Sequence, residues 1–320
     1  MNQHICPKSL DTSLIDFADF SYSISPDRET ILNESFTKSI VKHGILHPPI
    51  VTEIQPKSYV IVAGRKRLSA FRTLFPKEKL CTCMIIQAQM PKIDIFSILL
   101  EEILTSRQLT PIEKAIFLQK ISPLIDEKHI AKEFLPRIGL PPDPFSMKQS
   151  IMLLNLEEPL IRAIHQGNIN EKVALDILPL SAKDRQAVFQ IISSLQFSVS
   201  NQKKLLNICR ELASRENRTI AAILEDKGVQ DILNHQEANP PQKTKNLMNR
   251  LSRKYMPRSS HAADEFKRFA ASMHLPQNVS VDHTPFFEDD SVTLSITFSN
   301  KESVQNAWEK IKRAVRNQGN

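Results

Sequence analysis

At 320 residues, with 41% hydrophobic and 24% charged side chains, the chain is long enough for two or three domains with real cores, which excludes a minimal disulfide-stapled peptide. Its six glycines fall far below the usual ~7% and exclude collagenous and glycine-rich architectures. The formal net charge of +7 admits a polyanionic partner, and the placement of that charge decides whether it matters.

Taken in chain order, Asp27 after Pro26 is placed to cap a helix whose apolar positions Ile31, Leu32, Phe36, Ile40 and Val41 recur at helical spacing, with Gly44 as its stop. Pro48-Pro49 breaks the chain. Ile50 to Glu53 and Ser58 to Val62 read as strands joined by a polar turn, Leu68 to Phe75 returns to helical spacing, and Leu80 to Gln87 to strand. Residues 15 to 90 thus read as a small α+β domain.

After Pro91 the pattern is helical for about 150 residues. Thr110-Pro111-Ile112-Glu113 combines a capping-box threonine, a first-turn proline and a third-position glutamate, and predicts a helix to about Ile121. Asp126 to Leu135 is expected as a second helix, and Asp143-Pro144 opens a third through Leu154, so that the last two form a helix-turn-helix with a long turn. Further helices are expected at Pro159 to His165, Glu171 to Ile177, Lys183 to Leu195 and Asn201 to Arg215. From Pro240 to Arg258 the chain carries Lys243, Lys245, Arg250, Arg253, Lys254 and Arg258 without one acidic residue; such a stretch either lies against phosphate or is a solvated linker. The last 60 residues read as an α-β-β-α unit: Asp264 to Met273, Val279 to His283, Val292 to Phe298, and Glu302 to Val315 with Trp308. A unit so small gains stability by burying a face against a second copy.

No apolar run approaches the ~20 residues that cross a bilayer, and Met1 to Leu10 lacks the marks of a leader, so a cytoplasmic protein is expected. Cys81 and Cys83 form a lone C-x-C, two ligands where structural zinc takes four, and are expected as free thiols.

Gly64-Arg65-Lys66-Arg67 falls at a strand-to-helix junction, where glycine admits a ligand to the backbone and the first helical amides point at it; this is an anion site in outline or a solvated basic turn. Glu101 and Glu102 offer a base or a magnesium ligand, or are a solvated pair. No catalytic constellation emerges: there is no nucleophile elbow and no H-E-x-x-H. If Met147, Ile151 and Leu154 face inward, Ser146, Lys148 and Gln149 face out near the start of the Asp143 helix, where a recognition helix meets base edges.

Together these elements resemble the ParB family of chromosome and plasmid partition proteins. The family pattern of a helix ending in Ser-Ile, then Gly, Pro-Ile-Val and a strand into Gly-Glu-Arg-Arg-x-x-Ala stands here as Ser39-Ile40, Gly44, Pro49-Ile50-Val51, Tyr59 to Ala63 and Gly64 to Ala70. Its Glu-Asn-x-x-Arg-x-x-Leu-x-Pro-Ile-Glu is matched by Glu102, Leu109, Pro111, Ile112 and Glu113, and its Leu-Leu-x-Leu by Leu153 to Leu156. The resemblance implies an α+β, multidomain chain: a ParB-like domain at 1–92, a helical DNA-binding domain at 93–235, a basic linker at 236–260 and a dimerisation domain at 261–320.

It further implies a nucleoid-associated homodimer on an inverted repeat of double-stranded DNA, read by Ser146, Lys148 and Gln149, with Lys243, Lys245, Arg250, Arg253 and Lys254 on DNA. A cytidine triphosphate pocket is implied at Gly44, Pro49, Gly64, Lys66, Arg67 and Glu102, with Glu102 toward Mg2+. Arg65, Ile103 and Ser106 replace the family's Glu, Asn and Arg; isoleucine cannot ligate magnesium and serine cannot fork onto phosphate, which argues against hydrolysis. The amino terminus lacks the basic, glycine-containing peptide that stimulates a ParA-type ATPase in the family, so that partner stays open. A nucleotide-dependent kinase or CTPase on a sulfiredoxin-like fold, and a transcriptional regulator or nucleoid-associated factor on the same scaffold, are the competing readings.

Overall fold

The computed structural model describes residues 5–28, 32–195, 197–284 and 291–316, and the chain divides at Lys203 and Lys204 into two compact units. The first begins with β1 (Ile5–Asp11), β2 (Ile15–Asp16), α1 (Glu34–His43), β3 (Ile50–Gln55), β4 (Ser58–Ala63), α2 (Arg65–Leu74) and β5 (Leu80–Ile86). The strands form one sheet in the order β1, β5, β3, β4, β2. β1 with β5 and β3 with β4 are antiparallel; β3 with β5 and β2 with β4 are parallel. β4 is covered on both faces, which is why Tyr59 to Ala63 is an unbroken apolar run. Tyr59 and Ile61 join Leu68 and Phe71 of α2 on one face, while Val60 and Val62 join Phe96, Leu99 and Phe117 on the other. Cys81 and Cys83 are free thiols buried on the α2 face.

Two local differences from the sequence reading have plain causes. The first helix is capped by Asn33, whose side chain accepts from the Phe36 amide at 2.8 Å, not by Asp27; Ile31 lies outside the described residues. β1 was not anticipated, because as an edge strand carrying Pro7 and Lys8 it shows no apolar alternation.

The helical part of the first unit comprises α3 (Lys92–Leu104), α4 (Pro111–Ile121), α5 (Glu127–His129), α6 (Pro144–Met152), α7 (Glu158–His165), α8 (Glu171–Ile177) and α9 (Ala182–Leu195). α4 has both halves of the expected capping box: the Glu113 amide donates to Thr110 Oγ1 and the Thr110 amide to Glu113 Oε2. α5 continues as a π-type stretch, Ile130–Phe134, and the long turn expected after it is packed into the core. Leu135 and Ile138 are buried in the same core as Met147 of α6, and Gly139, at φ +72°, turns the chain. The inward face of α6 also differs: Met147 and Ser150 are buried, and Leu153, not Leu154, is fully covered.

α10 (Val199–Glu216) contains the division point. The second unit goes on with α11 (Ile220–Leu224), α12 (Lys227–Leu233), α13 (Pro240–Tyr255), α14 (Pro257–Ser272), β6 (Val279–His283), β7 (Val292–Ile296) and α15 (Lys301–Arg316). β6 and β7 pair antiparallel, as the α-β-β-α reading required. The stretch at 236–260 corrects the sequence reading: it is chiefly helix, not linker. Asn239 and Gln242 close a capping box on α13, and its apolar side, Leu247, Met248 and Leu251, is buried. With only three apolar residues in a cationic context, that stripe is easily mistaken for a tether. α11 and α12 had not been resolved as separate helices.

Candidate functional site

The junction of β4 and α2 opens on a cleft of about 360 Å³, whose lining includes Gly64, Arg65, Lys66, Arg67, Glu102, Ile103, Ser106 and Arg107. Gly64 sits at φ +86°, in the left-handed region, and a Cβ there would stand 3.0 Å from Pro49 Cα and from Arg67 Nε. Glycine is therefore required both for the turn and for the close approach. No side chain caps α2, whereas α1, α4, α6 and α13 each have a capping side chain. Uncapped amides at the end of a ten-residue helix are suited to an anion.

The three adjacent cations are put to different uses. Arg65 points away from anion duty: it donates to the Phe17 carbonyl at 2.7 Å and to that of Asp19, with its guanidinium 4.2 Å from the Phe20 ring centroid. Burial pulls its pKa down, against Asp19 and Asp16. Together with Lys120, which donates to the carbonyls of Phe20 and Ser21 at 2.7 Å, it clamps the segment that supplies Tyr22, Ser23, Ile24 and Ser25 to the cleft wall. Lys66 is exposed. Arg67 donates to the His47 carbonyl at 2.6 Å and to Glu102 Oε1 at 2.9 Å.

Gly44, expected in the pocket, instead ends α1 at φ +68° and does not line the cleft; Pro49 is a buried wall behind Gly64. Glu102, expected toward Mg2+, is ion-paired with Arg67. Among the described residues no group of three His, Cys, Asp or Glu side chains stands together as a metal site of protein ligands alone.

The sequence reading missed Arg107. Ser106 occupies the position matched to the family arginine, and the next residue supplies the guanidinium: Arg107 lines the cleft and forks onto Glu113, at 2.6 and 2.7 Å. Glu113 is 3% exposed. Burial opposes its ionisation, but the Arg107 hydrogen bonds, the Thr110 amide and the positive charge outweigh it and hold the carboxyl below its ordinary range. Thr110 Oγ1 also meets His165 Nδ1 of α7 at 2.8 Å. A charged position next to a vacated motif position was the only available signal.

The other expected interface divides between the two units. In the first, Asp143 accepts from the Ser146 amide and hydroxyl, both at 2.8 Å, so Ser146 serves the cap of α6. Lys148 is exposed and reaches Glu127 at 3.1 Å, Gln149 is half-buried, and Phe145 and Met152 are exposed apolar residues on the same helix. In the second unit, Lys254 bridges Glu216 and Asp226 at 3.0 Å each, Lys243 donates to the Leu233 carbonyl at 2.6 Å, and Arg253 pairs with Asp264 at 3.1 Å. Lys254 thus ties α13 to Glu216 and Asp226. Lys245 and Arg250 are exposed on α13.

Residues 8–93 match the model of the ParB N-terminal domain. A nucleoid occlusion protein of Listeria innocua is 26% identical over 191 residues, which are 58% of this chain and 64% of that protein; one of Bacillus cereus is 27% identical over 196 residues, 60% of this chain and 64% of its own length. The match therefore spans less than two thirds of these relatives. A crystal structure of C-terminally truncated ParB from Caulobacter crescentus, complexed to the centromeric parS site, is similar at 19% identity and a TM-score of 0.35, covering 62% of this chain and 98% of that one. No described helix is long and apolar enough to cross a membrane.

Proposed function

Because the chain carries a ParB N-terminal domain over residues 8–93, we propose that it is a DNA-binding protein of the partition type, acting at the nucleoid as a dimer on an inverted repeat. The observation that carries the reading is α6. This short helix is fixed at its start by Asp143 and Pro144, shares a core with the turn before it, and keeps Lys148 exposed. Pinned at one end and carrying Lys148 on its outer side between the exposed Phe145 and Met152, it has the form of a helix that enters a major groove, where lysine reads guanine and glutamine adenine. Lys148 is restrained by Glu127 rather than buried, so contact with DNA exchanges one exposed ion pair for another at little cost.

Two further features support the rest of the proposal. Val292, Leu294 and Ile296 of β7 and Val304 and Trp308 of α15 are all exposed in the single chain; a second copy laid on them would give this small unit the core it lacks. In the first unit, the uncapped amides of α2 with Lys66 and Arg67 suit the phosphates of cytidine triphosphate. With Glu102 taken by Arg67 and Ile103 beside it, the cleft binds the nucleotide without supplying a metal site for its hydrolysis. The relatives' name, nucleoid occlusion, agrees with a role on the chromosome.

The test is selection of bound sites from random duplexes, with and without cytidine triphosphate. An inverted repeat is expected, and Lys148→Ala should weaken binding to the selected site by about 1–3 kcal/mol while barely changing binding to random DNA. Affinity should fall with salt at a log-log slope of about −0.9 per phosphate contact. No enrichment of any sequence, with a flat salt response, would refute the proposal.

A further inference from the structure

The outer face of α13 carries residue types that charge alone does not explain. Opposite the buried Leu247, Met248 and Leu251, the exposed positions Asn246, Asn249, Arg250 and Arg253 follow the i, i+3, i+4, i+7 spacing of a single helical face. They line an open cleft of about 610 Å³. The helix itself has no acidic residue, and Asp264, paired with Arg253, is the first acid after it. Arginine and lysine serve any phosphate. Asparagine brings no charge to a phosphate, but its amide matches the paired acceptor and donor on the major-groove edge of adenine.

Arg250 adds an observation of its own. Among the described residues it has no ion-pair partner, unlike Arg253 and Lys254, and its guanidinium lies over Gly228 of α12, where a Cβ would come within 2.1 Å of it. Glycine inside a helix is unfavourable relative to alanine, and here it leaves the space that a planar guanidinium fills. A guanidinium so placed can fork onto guanine or onto phosphate alike, and it is the asparagines beside it that favour a base edge.

We infer that α13 is a second DNA-reading helix, in which Arg250, seated on Gly228, and Asn246 and Asn249 contact base edges. This rests on the DNA-binding reading and adds bases other than those met by α6. An anionic membrane surface is the weaker match, because this face has no apolar residues to enter the interface.

The experiment uses the full chain and fluorescent duplexes carrying the selected inverted repeat, with the bases outside it varied. The expected result is that the wild type prefers guanine or adenine at defined outer positions. Asn246→Ala with Asn249→Ala, and separately Gly228→Ala, should lose that preference, by about fivefold or more per contact. Gly228→Ala displaces the guanidinium without removing its charge, so its salt slope should equal that of wild type, whereas Arg250→Ala should reduce the slope by about 0.9. Alanine at 228 favours the helix, and circular dichroism checks that α12 is kept. If the wild type selects the repeat but shows no outer preference, or if Gly228→Ala and the double variant keep that preference, α13 touches phosphate at most and the inference is overturned while the DNA reading stands. A wild type that selects no sequence overturns both.

Discussion

Replacing Arg107 by alanine tests the wall of the cleft and the start of α4 at once. Glu113 is 3% exposed and accepts two guanidinium hydrogen bonds and the Thr110 amide; without Arg107 the carboxylate keeps only the amide. Removing one partner of a buried ion pair costs about 3–5 kcal/mol. The Arg107 side chain is 50% exposed, so water reaches the gap and the expected cost is about 2–3 kcal/mol. For a unit of this size that is a fall of roughly 4–12 °C in Tm.

The pH dependence fixes the cause of that loss. The folded pKa of Glu113 is below its ordinary value, so its ionised form contributes stability that is fully present above the unfolded carboxylate pKa and lost as pH falls through the folded one. The gap between wild type and Arg107→Ala should therefore be widest near neutrality and close toward acid. Urea denaturation of both proteins across that range reads it. A cost below about 0.5 kcal/mol at neutral pH, or a gap that stays constant on acidification, would refute the argument that Arg107 stabilises by meeting a buried charge.

Gly64→Ala places a side chain at φ +86° and 3.0 Å from Pro49 Cα; a loss of about 2 kcal/mol is expected, together with weaker binding of cytidine triphosphate by calorimetry. In the second unit, the hydrogen bonds from Arg218 and the one from Lys254 hold the Asp226 carboxyl down at about 2. Its stabilising charge is present above the ordinary carboxylate range and lost as pH falls toward 2; Asp226→Asn should cost about 1 kcal/mol at neutral pH, because the network is partly open to solvent, and should flatten acid unfolding between pH 4 and 2. Trp308→Glu should convert a dimer to a monomer in sedimentation velocity; an unchanged mass would remove α15 from the dimer surface.

Where local chemistry and tertiary packing agree, the sequence was legible. The capping box at Thr110, the cap at Asp143 and the strand from Ser58 were all readable, because each is encoded within a few residues; that this strand is covered on both faces was not. The basic stretch was misread because its buried side is only Leu247, Met248 and Leu251, and three apolar residues among six cations look like a solvated segment until α12 is there to cover them. Partner choice was the least legible. Lys66, Arg67, Lys148 and Lys254 look alike in one dimension, and only the fold assigns Lys254 to Glu216 and Asp226 while leaving Lys66 exposed.

The same limit explains the cleft. Judged position by position, Ser106 in place of arginine and Arg65 in place of glutamate spoke against a phosphate site. In three dimensions each of these two positions has a neighbour or a role that the motif does not show. Arg107 supplies a guanidinium one residue on, and Arg65, by holding the Phe17 and Asp19 carbonyls, fixes the segment that carries Tyr22 to Ser25 along the cleft. At the position matched to the family's metal contact, Ile103 has no side-chain oxygen, and Glu102 beside it is ion-paired with Arg67. On the function proposed above, holding the nucleotide falls to Lys66, Arg67 and the uncapped start of α2, none of which sits at the positions where Arg65, Ile103 and Ser106 depart from the family pattern.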